Sequence, residues 1–256
     1  MKAWFDARPL AGSLIIWVAD IVFVLGGAAL LSVLFPAMPG YGRGLSQSLV
    51  LVLIGVLLIA ALLTALGWWR RAGFVGPSEW RDLRVLWLPT LALLLPFVAG
   101  IQPLPANELL TLIVGYAATA FFEEAIFRGM ILGLLRPKGI WTAVLVSSLL
   151  FGLVHLSNIA LRGNPGLIAL QALGAATGGV GMAAIRVRTR TVWPGIALHA
   201  LHDLFFQLSR LPVPLVDAAN SIILLLYAVY LLRPSVRARL EAEAGEGATA
   251  GVGVTA

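Results

Sequence analysis

Long apolar stretches dominate this chain and restrict it to helices that cross a membrane. The chain has 256 residues, of which 60% are hydrophobic and 12% charged, and its mean hydropathy is +0.95. Several stretches exceed the roughly 18–20 residues that a helix needs to cross the hydrocarbon core. Because backbone N–H and C=O groups cannot stay unpaired in lipid, these stretches must form helices. The predicted fold is an all-α polytopic membrane protein.

The apolar pattern divides into about eight predicted membrane-spanning helices. Clusters of proline and glycine separate them, as expected at connections. The predicted spans are 10–35, 46–67, 84–101, 108–135, 140–161, 166–185, 191–209 and 213–232. Together they form one predicted integral-membrane domain, 1–239. The remaining segment, 240–256, is rich in alanine, glycine and glutamate, and we expect it to be a disordered cytoplasmic tail.

The basic residues lie unevenly about these spans. All but four of the 18 lysines and arginines fall on one side of the eight-span arrangement. Of the four, Arg43, Arg162 and Arg210 fall on the other side and Arg128 lies within a span. The positive-inside rule places the basic side, including both termini, in the cytoplasm. The net charge of +6 therefore reflects topology, and we expect the lipid bilayer rather than a nucleic acid as its partner.

Ionisable residues inside the spans are few and clustered. Burying such a group at the centre of a membrane helix costs about 2.5–3.5 kcal/mol on insertion scales, so a chain keeps it for a function. Apart from Asp20 in the first span, they form three short clusters on three helices. The clusters contain Glu123, Glu124 and Arg128; His155; and His199, His202 and Asp203.

Helical spacing predicts which of these side chains face one another. Residues four apart share a face, so Glu124 and Arg128 can pair, whereas the neighbouring Glu123 is turned by about 100°. By the same spacing His199 and Asp203 share a face, with His202 close to it. We predict that Glu123, His155, His199 and Asp203 converge inside the membrane, with Glu124, Arg128 and His202 as supporting residues.

Two kinds of chemistry suit this predicted set. A carboxylate assisted by an imidazole can activate water, and the same four residues can hold a divalent metal such as zinc. The chain has no cysteine, which excludes a thiolate ligand or nucleophile. It also lacks the His-Glu-x-x-His sequence of thermolysin-like enzymes. A proton- or cation-coupled transporter is an alternative, because intramembrane carboxylates and histidines also form relays, and a non-catalytic membrane scaffold is another.

The three clusters resemble a known family of intramembrane proteases. The motifs, in chain order, are Glu123-Glu124-x-x-x-Arg128, Phe151-x-x-x-His155 and His199-x-x-x-Asp203. Their order and spacing resemble the CPBP family, which includes the type II CAAX prenyl proteases and the abortive-infection and bacteriocin-processing membrane proteins. The resemblance covers about 85–210.

This resemblance implies an intramembrane endopeptidase that acts on a peptide or protein substrate, with or without a metal. It implies that Glu123 and His155 activate water and that His199 and Asp203 stabilise the oxyanion. The last motif position is often asparagine in the family, and an ionised aspartate cannot donate a hydrogen bond to an oxyanion. Asp203 is therefore protonated, binds a metal or has another role. High arginine content with two lysines suggests GC-rich coding, which is compatible with a bacterial plasma membrane, where a prenylated substrate is less expected.

Overall fold

The computed structural model describes residues 2–77 and 79–250, with side chains as far as residue 242. This part of the chain is helical and contains no β-strand, although an isolated bridge joins Ile101 to Ser209. Its α-helices are α1 (Lys2–Ala7), α2 (Pro9–Leu34), α3 (Gln47–Leu66), α4 (Trp87–Ala92), α5 (Ala106–Glu124), α6 (Leu132–Leu135), α7 (Ile140–Val154), α8 (Asn158–Arg162), α9 (Pro165–Thr189), α10 (Trp193–Leu208), α11 (Val213–Leu231) and α12 (Pro234–Ala250). The predicted all-α fold is confirmed.

Within the described residues, six helical segments are long and apolar enough to cross a membrane. They are Pro9–Leu34, Gln47–Leu66, Ala106–Lys138, Ile140–Arg162, Pro165–Thr189 and Val213–Leu231. The protein is therefore a polytopic membrane protein, and the count of eight spans stays a prediction.

The other two predicted spans differ from the remaining six in length and regularity. The segment 84–101 consists of short pieces, with 3-10 helices at Trp80–Leu86 and Leu95–Phe97 around the six-residue α4. Pro89 and Pro96 explain the interruptions, because proline lacks the N–H that continues a helix. The segment 191–209 forms α10, which has 16 residues.

Side-chain caps and glycines mark the boundaries of the long helices at the connections that the sequence predicts. The Ser46 hydroxyl accepts a hydrogen bond from the backbone N–H of Leu49 at the start of α3, and Gly67 ends this helix with φ of 60°. At the start of α9, the Asn164 side chain accepts from the N–H of Leu167 at 3.2 Å. These are the usual signals of helix boundaries.

Helix α9 lies between α7 and α11 at the centre of the bundle, and its glycines allow close approach. A Cβ atom added at Gly181 would lie 2.6 Å from Cβ of Leu224 in α11, and one at Gly152 in α7 would lie 2.6 Å from Cβ of Ala176 in α9. Distances this short require glycine. The segment Gly174–Gly181 therefore packs closely against a neighbouring helix.

The connections that carry most arginines meet at one end of the bundle. Arg71, which follows α3, pairs with Asp6 of α1 at 2.5 Å. The Thr191 hydroxyl, between α9 and α10, donates to the carbonyl of Val75 at 2.6 Å. We call this end, formed by 2–8, 68–77, 79–86, 136–139, 186–192 and 232–239, the arginine-rich end.

The C-terminal segment starts from the same end. Helix α12 includes residues 240–250, the first part of the segment predicted to be disordered. Residues 251–256 of that prediction lie outside the described residues. The division into a membrane domain and a tail stays a prediction.

Candidate active site

The two glutamates lie where α5 changes its helical form. Glu123 and Glu124 end α5, and a π-helix continues from Ala125 to Ile131 before α6. A π-helical turn is wider than an α-helical turn and often occurs at functional sites. Here it contains Arg128 and directs both glutamates toward α10, with which α5 packs.

Glu124 and Arg128 form the predicted ion pair, fully buried. Arg128 Nη1 lies 3.0 Å from Glu124 Oε1, and both side chains have 0% exposure. The Arg128 guanidinium also lies over the Phe151 ring, with Cζ 4.0 Å from the ring centroid. Two charges without solvent need such close compensation, because removing one partner would leave the other unpaired.

Two glycines make room for this ion pair. A Cβ atom at Gly179 in α9 would lie 2.9 Å from Arg128 Nη2, and one at Gly195 in α10 would lie 2.9 Å from Glu124 Oε2. Gly179 therefore allows α9 to pack closely and also leaves space for the charged pair.

His199 of α10 contacts both glutamates through its two ring nitrogens. Its Nδ1 lies 3.2 Å from Glu124 Oε1, and its Nε2 lies 3.6 Å from Glu123 Oε2. Neighbouring residues on a helix point about 100° apart, but the imidazole nitrogens also point to different sides. One ring therefore bridges both carboxylates, and Glu124 has a contact beyond the predicted pair with Arg128.

His155 approaches from the end of α7, where a 3-10 helix covers His155–Ser157. Its Nδ1 lies 2.8 Å from the carbonyl oxygen of Phe151. Because a carbonyl can only accept, Nδ1 carries the proton and Nε2 of the neutral ring is left as an acceptor. The Phe151 ring packs edge-on against both His155 and His199, at centroid distances of 4.8 and 5.9 Å.

A chain of polar contacts extends the site to α11. His202 Nδ1 lies 3.2 Å from Asp203 Oδ1, and its Nε2 lies 3.3 Å from Asp217 Oδ1. Asp203 Oδ2 in turn lies 3.7 Å from His199 Nε2. His202 thus joins two carboxylates, and Asp203 joins His202 to His199.

Asp217 is the residue of this site that the sequence analysis missed. It lies in the second turn of α11, near the edge of a predicted span, where an acidic side chain is expected to contact water. One signal was available in Gly174, because a Cβ atom there would lie 2.5 Å from Asp217 Oδ2. Without the structure, however, nothing shows which residue of a neighbouring helix lies against Gly174.

The predicted site residues line one cavity of about 1090 Å³. Glu123, His155, His199 and Asp203 share it with the supporting residues Glu124, Arg128 and His202, and with Asp217. Asp20 does not line it; this residue is buried in α2, and its Oδ1 has no hydrogen-bond partner among the described residues. The convergence of the three clusters from α5, α7 and α10 is therefore present in the structure.

The geometry does not favour the predicted metal alternative. In the described part of the chain, no group of three or more His, Asp and Glu side chains is arranged to hold a metal ion. His199 directs Nδ1 to Glu124, which leaves Nε2 as its one nitrogen toward Glu123 and Asp203. His155 uses Nδ1 for a backbone carbonyl. As placed in the described part of the chain, these side chains do not form a metal site.

The fold and the cavity define a class of protein: a polytopic helical membrane protein with carboxylates and imidazoles gathered between its helices. Residues 105–205 match the family described as type II CAAX prenyl endopeptidase Rce1-like. This match confirms the family resemblance predicted from the three motifs, all of which lie within the matched segment. It supports an intramembrane endopeptidase of the CAAX-protease type. Comparisons with curated proteins and with solved structures found no match.

Proposed function

We propose that this protein hydrolyses a peptide bond in or near the bilayer, using water activated by Glu123 and His155. The observation that carries the proposal is the placement of both residues, with His199 and Asp203, around one cavity between membrane-spanning helices. The substrate is a peptide or protein segment that reaches this cavity, and a membrane-associated segment would do so most directly. A bacterial plasma membrane is the proposed location.

In this mechanism the Glu123 carboxylate accepts a proton from water as the water oxygen attacks the carbonyl carbon of the substrate. His155 assists through Nε2, the acceptor left by its Nδ1 hydrogen bond. The proton then passes to the leaving amine as the C–N bond breaks. Both groups need solvent-sized space, and the cavity that they line provides it.

The oxyanion of the tetrahedral intermediate would lie against His199. Its Nε2 is 3.6 Å from Glu123 and 3.7 Å from Asp203, both beyond a good hydrogen bond, so the nitrogen has room for a substrate oxygen. As an imidazolium, His199 would donate Nε2–H while Glu124 accepts Nδ1–H. We assign an orienting role to Asp203, because an ionised carboxylate has no proton to donate.

The test is peptide cleavage by the purified protein in proteoliposomes, using a quenched-fluorescence peptide library. The Glu123→Gln variant should lose about 10²–10⁴-fold in kcat/KM, the usual contribution of a general base. Glu108→Gln is the matched control, since Glu108 lies in the first turn of the same helix and should be replaceable without loss. Full activity of Glu123→Gln would contradict the proposal. A chelator should leave cleavage unchanged, and inhibition would instead show a metal-dependent step.

A further inference from the structure

The cavity opens at the end of the bundle opposite the arginine-rich end. Its lining includes the connection 41–44, the turn 162–164, and Val213 and Pro214 at the start of α11. Neighbouring antiparallel helices begin or end at these segments, which all lie at the same end of the bundle. Among the residues that the structure describes, none of those forming the arginine-rich end lines the cavity. A substrate therefore enters from the face opposite the one that the positive-inside rule places in the cytoplasm.

Two arginines lie at this opening. Arg43 and Arg162 both line the cavity, although this face of the protein carries Arg210 as its one other basic residue. The Arg162 guanidinium lies over the Tyr41 ring, with Cζ 4.4 Å from the centroid. No carboxylate among the described residues pairs with either arginine. The opening thus presents two cations with free hydrogen-bond donors.

The acidic residues lie deeper in the cavity. Glu123, Asp203 and Asp217 line the same cavity, beside the imidazoles described above. A bound peptide therefore meets cations at the entrance and carboxylates at the reacting end. This polarity favours a substrate with an anionic group at the entrance, because a guanidinium binds a carboxylate with charge-assisted hydrogen bonds.

Helix geometry gives the distance between the two regions. The Thr111 hydroxyl donates to the carbonyl of Arg43, and Thr111 precedes Glu123 by twelve positions on α5, or about 18 Å at 1.5 Å per residue. Arg162 follows His155 by seven positions, or about 10 Å on the same scale. An extended peptide advances about 3.3 Å per residue, so these distances correspond to roughly three to five substrate residues.

We propose that Arg43, Arg162 and Tyr41 form an anchoring site for a carboxylate of the substrate peptide, three to five residues from the cleaved bond. The proposal rests on the proposed endopeptidase function and names its substrate class: anionic peptide segments presented on the face opposite the arginine-rich end. The carboxylate is that of an aspartate or glutamate side chain within the peptide.

The experiment separates anchoring from catalysis by measuring binding to protein that carries Glu123→Gln. Fluorescence anisotropy follows labelled peptides with glutamate or glutamine at the third to fifth position from the scissile bond, each with a free or amidated C-terminus. Adding Arg43→Gln and Arg162→Gln should weaken binding of the anionic peptides by about ten- to hundredfold, as expected for hydrogen bonds to a charged group. Binding of the neutral, amidated peptide should not change.

Arg210→Gln is the matched control, because Arg210 lies on the same face but packs beside Gly100 outside the cavity. Unchanged binding of the anionic peptides in the double variant, or equal weakening of anionic and neutral peptides, would overturn the anchor. So would a failure of the anionic peptides to bind protein with intact arginines. Loss with the glutamate peptides, whether the C-terminus is free or amidated, would support the side-chain anchor, and loss confined to peptides with a free C-terminus would overturn it. Cleavage by the protein with Glu123 intact tests the proposed function separately.

Discussion

At the scale of single residues, the site depends on the hydrogen bonds that orient each imidazole ring. His155 has its Nδ1 proton directed to the Phe151 carbonyl, and His199 has Nδ1 directed to Glu124. In both rings Nε2 is therefore the nitrogen left for substrate or water. The hydrogen bond at Nδ1 orients each ring, and in His155 it also selects the tautomer with the proton on Nδ1.

Asp203 provides a sharp test at this scale. Its Oδ1 contacts His202 and its Oδ2 approaches His199. Asparagine keeps one oxygen as an acceptor for His202 and gains an N–H donor. We expect Asp203→Asn to retain at least a tenth of wild-type kcat/KM, and Asp203→Leu, which has neither donor nor acceptor, to lose about a hundredfold or more. Steady-state cleavage of the same peptide measures both, and equal losses in the two variants would contradict the orienting role.

At the scale of helices, the buried ion pair depends on the surfaces of α9 and α10. Arg128 and Glu124 have no solvent contact, so neighbouring helices must leave space for them without admitting water. Gly179 and Gly195 provide that space. The helix contacts and the electrostatics of the site are thus parts of one arrangement.

Gly195 tests this connection. A Cβ atom there would lie 2.9 Å from Glu124 Oε2, so Gly195→Ala should displace the carboxylate that holds His199. We expect at least a tenfold lower kcat/KM and a lower midpoint of thermal unfolding in detergent. Gly26→Ala is the control, because nothing lies within 4 Å of a Cβ at this position of α2, and alanine favours a helix by about 1 kcal/mol over glycine. Similar behaviour of the two variants would show that α10 can shift to accept the methyl group.

At the scale of the whole molecule, the two ends differ in charge, and the cavity opens at the less basic end. The predicted topology places the arginine-rich end in the cytoplasm. With that topology, the proposed hydrolysis would act on segments delivered from the other side of the membrane. This orientation decides which proteins of the cell can be substrates.

The absence of cysteine makes this orientation directly measurable. Asn107→Cys places a thiol near the start of α5 at the cavity end, and Ser235→Cys places one in α12 at the arginine-rich end; both positions are exposed. A membrane-impermeant maleimide should label Asn107→Cys in intact cells and Ser235→Cys only after lysis. The reverse pattern would invert the topology and place the cavity opening in the cytoplasm.

The sequence by itself determined the helical membrane class, the helices that carry the site and the faces that those residues share. Apolar length and helical period are local properties, so Glu124 and Arg128, four positions apart, could be paired without a structure. The sequence also favours an interruption of the predicted helix at Pro89 and Pro96. It did not show that this segment forms several short helical pieces.

Only the tertiary structure decided how the clusters meet. The contact between His199 and Glu124 joins positions 75 apart in the chain, and the link from His202 to Asp217 depends on α10 lying beside α11. The spaces beside Gly179 and Gly195 and the arginines at the cavity entrance arise in the same way. Helical period fixes the direction of a side chain on its own helix, whereas contacts between helices depend on their packing, which is not a local property of the sequence.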